Sequence, residues 1–249
     1  MSSTAPARAA GLLALACASV AQPARAQLLA LPAAQTPFGG RPLAVALDVG
    51  AGGDGLRTAG VALGLRNAAT RLALTAGVGV VQGFATTRTA FGIRVAYQQP
   101  LGESGALAAA PFVGFGYTGQ GDAEKQANST RARPPLLGNL SVIPAGVSVG
   151  YRRVVAGRAV AVHLGPQVQY WRLGAADSAG AEASGKAYVR AAAGLDVAVT
   201  RQFGLTLALE GGASSKVTGS GAAATGLARG PRPVLFGAAV SYSPARRRQ

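Results

Sequence analysis

The sequence has 249 residues; 49% of them are hydrophobic, only 13% are charged, 36 are glycine, and the formal net charge is +15. A chain this apolar and this poor in charge cannot stay solvated as a coil, so intrinsic disorder is excluded. A single cysteine also excludes a disulfide scaffold.

The first 26 residues have the pattern of a secretory signal peptide. An apolar stretch over residues 9–21 is followed by a small-residue cleavage site that ends at Ala26. Cys17 lies in a lipobox-like context and keeps a lipoprotein signal open as the lesser alternative. The stretch is shorter than the ~20 apolar residues of a spanning helix, and no later run reaches that length. We therefore expect residues 1–26 to be removed and no helix of the mature chain to span a membrane.

Beyond residue 40 the hydrophobicity repeats at every second residue, which is the period of a β-strand with one apolar face. In residues 43–49, for example, Leu, Val, Leu and Val alternate with Ala, Ala and Asp. The pattern predicts ten strands, over residues 43–49, 61–66, 72–80, 91–98, 107–118, 140–152, 160–171, 187–200, 205–212 and 233–242. Eight and twelve strands remain alternatives, because boundaries taken from a pattern shift by ~2–4 residues.

The connections between these segments differ in length. Those after even-numbered segments are tight turns, whereas most of those after odd-numbered segments are longer and polar, notably residues 119–139, 173–186 and 213–232. A soluble sandwich gives no reason for this difference. A closed barrel in a bilayer does, because it has short turns at one end, long loops at the other and no unpaired edge. We call these the short-turn end and the long-loop end.

With its leader, ten alternating segments and unequal connections, the chain resembles the bacterial outer-membrane β-barrel proteins, in the broad porin-like and small-barrel group. The resemblance covers about residues 41–242. It implies an all-β fold, a single antiparallel transmembrane barrel in the outer membrane, with the short-turn end in the periplasm. The chain is then divided into a signal peptide (1–26), a periplasmic segment (27–40), the barrel (41–243) and a basic tail (244–249).

The aromatic residues lie near the ends of the predicted strands, as in the interfacial girdles of membrane barrels. Those at the short-turn end are Tyr97, Tyr151, Phe203 and Tyr242. Those at the long-loop end are Phe84, Phe91, Phe115, Tyr117, Tyr170, Trp171, Tyr188 and Phe236. We expect the two groups to mark the two surfaces of a bilayer.

If the aliphatic side of each strand faces lipid, the opposite side lines the interior. The larger polar residues with that parity are Asp48, Arg66, Arg94, Gln98, Arg152, His163, Gln167, Gln169, Trp171, Arg190, Asp196 and Glu210. Charges confined there must pair with one another or with water. They predict either a packed polar core or a narrow aqueous pore, in which four arginines would outnumber three carboxylates and favour anions.

Other basic residues favour lipid as a partner over nucleic acid, because they are scattered and form no basic helix or aromatic-interleaved strand. Arg57, Arg172 and Arg232 share the outward parity near the long-loop end. Their guanidinium groups are candidates to bind phosphates of outer-membrane lipid or lipopolysaccharide, or they simply extend to the interface. Connection 119–139 is the longest and is the candidate site for a surface ligand.

The sequence offers little for catalysis or metal binding. The mature chain has one histidine, His163, with no serine or carboxylate set at a suitable spacing and no His/Cys cluster. We therefore expect no enzyme, cofactor or metal centre, but a structural barrel or a narrow passive channel for small polar or anionic solutes, with external interaction loops. The rival is a soluble exported barrel of the lipocalin type, with its aliphatic face turned inward around an apolar ligand. The pattern carries no information on oligomeric state.

Overall fold

The computed structural model describes residues 36–38, 42–52, 57–83, 86–119, 139–173, 184–213 and 234–244. These residues form β1 (Leu43–Gly52), β2 (Arg57–Asn67), β3 (Leu72–Gly83), β4 (Thr86–Tyr97), β5 (Gln99–Leu101), β6 (Leu107–Thr118), β7 (Leu140–Val155), β8 (Arg158–Leu173), β9 (Ser184–Ala198), β10 (Phe203–Gly212) and β11 (Val234–Tyr242). Among them, no helix is long and apolar enough to cross a membrane.

The strands form one antiparallel sheet that closes on itself. Consecutive strands pair as hairpins, and β1 pairs with β11 in the register Leu47↔Val240. Strands β4 and β5 both pair with β6, so they are two parts of a single strand position in the ring. The ring therefore has ten positions, which confirms the predicted ten-strand barrel and removes the alternatives of eight and twelve.

The strands extend further than the hydrophobic alternation predicts. β2 begins at Arg57 instead of residue 61, and β4 begins at Thr86 instead of residue 91. The added part of β4 remains paired with β3, as in Val81↔Arg88. The ladder continues there because backbone hydrogen bonds do not require an apolar side chain. In this added part of β4 the outward positions are occupied by threonine, so the apolar pattern begins later in the chain than the strand does.

The short turns have the backbone that tight hairpins require. Between β7 and β8, Ala156 and Gly157 have φ values of 49° and 73° and connect the pair Val155↔Arg158. Two central residues with positive φ match the right-handed twist of the flanking strands. Between β2 and β3, the Asn67 Oδ1 atom accepts hydrogen bonds from two backbone N–H groups of the turn.

The aliphatic side of the pleat faces outward. Val45, Leu63, Val95 and Val162 are exposed, Leu74 is half-buried, and Leu47 at the middle of β1 is 63% exposed. The opposite side is nearly inaccessible and carries small residues together with charged ones. A lipocalin-type barrel requires the reverse arrangement, so that interpretation is wrong.

Most of the described aromatic residues also face outward near the predicted ends, where Phe91 contacts Phe115 and Tyr117, and Phe203 contacts Tyr242. Tyr188 was expected in the girdle at the long-loop end and is instead inside the barrel, 3% exposed. Trp171, which was predicted both for that girdle and for the inward face, is inside as well, 6% exposed, and packs edge-on against Tyr188 with Val142. Their position follows the parity of their strands, which outweighs the interfacial preference of an aromatic ring. Phe84 lies outside the described residues.

Candidate functional site in the lumen

The predicted interior residues line the lumen, at different depths. Asp48, Gln98, His163, Gln167, Gln169, Arg190 and Glu210 are buried; Arg66, Arg94 and Asp196 are half-buried; Arg152 is exposed where β7 reaches the short-turn end. Arg88 also faces inward and is buried. It was missed because the strand was predicted to begin at residue 91, although Arg88 has the same parity as Arg94. The described lumen thus holds five arginines, and its three carboxylates are those of Asp48, Asp196 and Glu210.

Glu210 is the centre of a hydrogen-bond network near the long-loop end. Its carboxylate accepts hydrogen bonds from the Nε2 atoms of Gln167 and Gln169, at 3.1 and 2.9 Å, and from Arg190 Nε at 2.5 Å. The Trp171 Nε1 atom donates to Gln169 at 3.1 Å. These residues lie on three adjacent strands, β8, β9 and β10, so the network forms one wall of the lumen.

Arg94 approaches this wall from the opposite side. Arg94 lies on β4 and Glu210 lies on β10. These two strands are five positions apart in the ring of ten, with β3, β2, β1 and β11 between them on one side, so the two residues belong to opposite sides of the barrel. The Glu210 carboxylate nevertheless acts electrostatically on the guanidinium of Arg94. That guanidinium stacks on Phe112, 3.6 Å from the ring centroid. Opposite charges therefore face the lumen from opposite walls of the barrel.

His163 and Asp196 form a second polar pair, closer to the short-turn end of the barrel. His163 Nδ1 lies 3.3 Å from Asp196 Oδ2, and the Thr206 hydroxyl donates to Asp196 Oδ1 at 2.7 Å. A hydroxyl nucleophile would have to reach the histidine, but here it reaches the carboxylate, so the trio does not have the order of a catalytic triad. Within the described residues, no three His, Cys, Asp or Glu side chains are grouped to hold a metal ion.

A cavity of about 300 Å³ occupies the short-turn half of the lumen. Arg66, Arg94 and Arg152 line it, together with Asp196, Thr75 and Phe38 among others. Arg66 and Arg152 lie on β2 and β7, and their positive charges act on each other. The cavity is therefore bordered by cations from three strands, β2, β4 and β7, in one half of the ring.

Residues 36–38 enter the lumen at the same end. Pro37 is fully buried, and Phe38 is 7% exposed and packs with Ala108 and Ala161. Gly150 leaves the room they occupy, because a Cβ atom there would meet Pro37 Cγ at 2.7 Å and Phe38 Cε2 at 2.8 Å. The Arg152 guanidinium lies 5.3 Å from the centroid of the Phe38 ring. A Pro-Phe pair outside any periodic segment gave no signal of this position in the sequence.

The outward arginines near the long-loop end are far apart. Arg57 on β2 and Arg172 on β8 are both exposed. Their strands are separated by five of the ten positions, through β1, β11, β10 and β9, so they lie on opposite sides of the barrel and cannot bind one phosphate together. Several predicted features lie outside the described residues: the signal peptide 1–26, most of segment 27–40, Arg232, loop residues 120–138 and tail residues 245–249.

A scan against protein-family models and a search of curated proteins give no match to the sequence. Among solved structures, the chain is similar to the KdgM porin in complex with oligogalacturonate, with 9% identity, a TM-score of 0.39, and coverage of 81% of this chain and 99% of the other. The N-terminal β-barrel domain of Pseudomonas aeruginosa OprF matches with 11% identity, a TM-score of 0.34, and coverage of 82% and 98%. The translocator domain of the Neisseria meningitidis autotransporter NalP matches with 10% identity, a TM-score of 0.41, and coverage of 80% and 86%. The fold assignment itself rests on the strand pairing described above.

Proposed function

We propose that the mature chain is an outer-membrane β-barrel that acts as a narrow passive channel for small polar or anionic solutes. Its outer face supports the membrane location. Exposed aliphatic side chains follow every strand position, and a continuous apolar band of this kind is costly in water but matches hydrocarbon. The ring formed by the described strands is closed and leaves none of their edges unpaired, as lipid requires. Removal of residues 1–26 on export belongs to this proposal.

Heat-dependent electrophoretic mobility tests the membrane location. The full mature chain, extracted in detergent, should migrate faster before boiling than after it, because a folded membrane barrel resists the detergent until it is heated. Release of the protein from membranes by a salt wash alone would contradict the proposal.

The observation that carries the channel function is the charge of the lumen. Among the residues that the structure describes, five inward arginines face three carboxylates, and the lumen retains a cavity at its short-turn half. An excess of positive charge in a narrow passage favours anions. In a planar bilayer we expect small currents that prefer anions. Large cation-selective currents would contradict the assignment.

A second candidate function is a closed structural barrel whose external loops bind a partner. The hydrogen-bond network around Glu210 and the packing of Phe38 inside the barrel favour this closed barrel, because side chains then occupy the lumen toward both of its ends. In that case the bilayer experiment gives no current while the heat-dependent mobility persists. Loop 119–139 is then the proposed contact for a surface ligand.

We also propose that Arg57 and Arg172 each bind a lipid or lipopolysaccharide phosphate separately, since they lie on opposite sides of the barrel. Native mass spectrometry of the extracted barrel tests this. The double variant Arg57→Gln, Arg172→Gln should retain fewer lipopolysaccharide molecules than the wild type. Equal retention would leave only interfacial extension of the side chains as their role.

A further inference from the structure

We propose that the cavity at the short-turn end is a binding site for a small multivalent oxyanion, held between the guanidinium groups of Arg66, Arg94 and Arg152. The inference rests on the proposed channel function and names the place where a permeating anion is retained. Its chemistry is that of phosphate or a dicarboxylate, which offer several charged oxygens to planar donors.

The described wall of the cavity carries more positive than negative charge. Folding brings three cations to one cavity, although Arg66 and Arg152 repel each other there. Among the described residues that line the cavity, Asp196 provides the carboxylate, and it already accepts a hydrogen bond from Thr206 and lies beside His163. Its charge is therefore only partly available to the arginines, and an anion between them would relieve their repulsion.

Arg94 has a hydrogen-bond donor without an acceptor. Its Nε atom is buried and makes no hydrogen bond, although its guanidinium stacks on Phe112. Arg190, at the other end of the lumen, shows the alternative, because its Nε donates to Glu210. A buried donor without an acceptor costs about 1–3 kcal/mol. An oxyanion in the cavity, which Arg94 lines, would offset part of that cost by supplying a counter-charge to this guanidinium.

The cavity has a size and a wall that suit a small anion. A volume of about 300 Å³ is at the lower end of small-molecule sites. Phe38 covers one side of the cavity, and much of the remaining wall is alanine, including Ala46, Ala62 and Ala161. Apolar walls strengthen the attraction between the arginines and an anion, because they exclude water from the charges.

Calorimetric titration of the detergent-folded mature chain with inorganic phosphate tests the proposal, at a constant ionic strength set with chloride. We expect saturable binding at one site. The double variant Arg94→Gln, Arg152→Gln should lose at least about tenfold in affinity, equivalent to about 1.4 kcal/mol. The matched control is Arg153→Gln, which removes the same charge from the neighbouring exposed residue and should bind phosphate like the wild type.

The outcomes of the titration test the anion site separately from the proposed channel. If phosphate gives no saturable heat with the wild type, or if Arg153→Gln weakens binding as much as the double variant, the site is overturned. The proposed channel still stands in that case if the wild type keeps its heat-dependent mobility and its chloride current. If the double variant does not fold, the wild type alone decides: phosphate should reduce the chloride current saturably, and a current that phosphate leaves unchanged would refute the site.

Discussion

Arg190 and Glu210 lie on adjacent strands, and their Nε and Oε1 atoms are 2.5 Å apart in an interior where both side chains are almost inaccessible. A carboxylate in such a place is stable only if its charge and lone pairs are satisfied. Glu210 meets that condition with donors from Arg190, Gln167 and Gln169. The pair therefore holds the long-loop half of the lumen in a defined arrangement.

Replacing Glu210 with glutamine should destabilise the barrel by about 3–5 kcal/mol, because it leaves the Arg190 charge buried without a counter-ion. The free energy of unfolding can be followed by the fluorescence of Trp171, the single tryptophan of the chain, which donates to Gln169 in the same network. The control is Glu103→Gln, at an exposed carboxylate in a short turn, which should unfold like the wild type. An equal stability of both variants would show that the network does not support the fold.

A charge placed on the outer face should cost more at the middle of a strand than at its end. Leu47→Arg, at mid-strand in β1, should destabilise the barrel in lipid vesicles by about 2–4 kcal/mol, and Val155→Arg, at the short-turn end of β7, by about 0–1 kcal/mol. Both side chains are exposed in the structure, so a soluble barrel would tolerate both changes equally. Denaturant titration of the vesicle-embedded variants distinguishes the two cases.

Removing the Phe38 ring, which lines the cavity at the short-turn end, should widen the lumen there. Phe38→Ala takes away the group that packs on Ala108 and Ala161, and we expect a larger anion current in a planar bilayer. Phe203→Ala removes an outward-facing ring at the same end and should leave the current unchanged. If the Phe38 variant conducts like the wild type, residues 36–38 do not limit conduction.

The space beside His163 should not accept a methyl group. A Cβ atom on Gly194 would overlap the imidazole of His163, so Gly194→Ala should destabilise the barrel by about 1–3 kcal/mol through overpacking. Gly92→Ala is the control, because a Cβ atom there meets only the Phe115 carbonyl oxygen, at 3.6 Å. Thermal unfolding of the two variants compares them directly. A Gly194 variant as stable as the control would mean that the imidazole can move aside.

Much of the fold was predictable because a barrel wall is built from local pattern. Alternation in residues such as Leu47 and Asp48 fixes which side chain faces lipid and which faces the lumen, since successive residues of a strand point to opposite faces. The same parity predicted the inward position of Arg190 and Glu210. Parity did not identify Arg88, because the alternating apolar pattern of β4 begins at residue 91, whereas the hydrogen-bonded pairing of β4 with β3 already begins at Thr86.

The sequence by itself determined the strand count, the direction of each pleat and the excess of positive charge inside, because these depend on neighbours one or two residues away. Only the tertiary structure decided which charges meet. Arg190 and Glu210, 20 positions apart, come together through the register in which β9 pairs with β10, whereas Arg66, Arg94 and Arg152 border one cavity because the sheet curves into a ring. The position of Phe38 against Gly150 was likewise decided by tertiary packing. A short segment without periodic hydrophobicity has no sequence pattern that predicts its contacts.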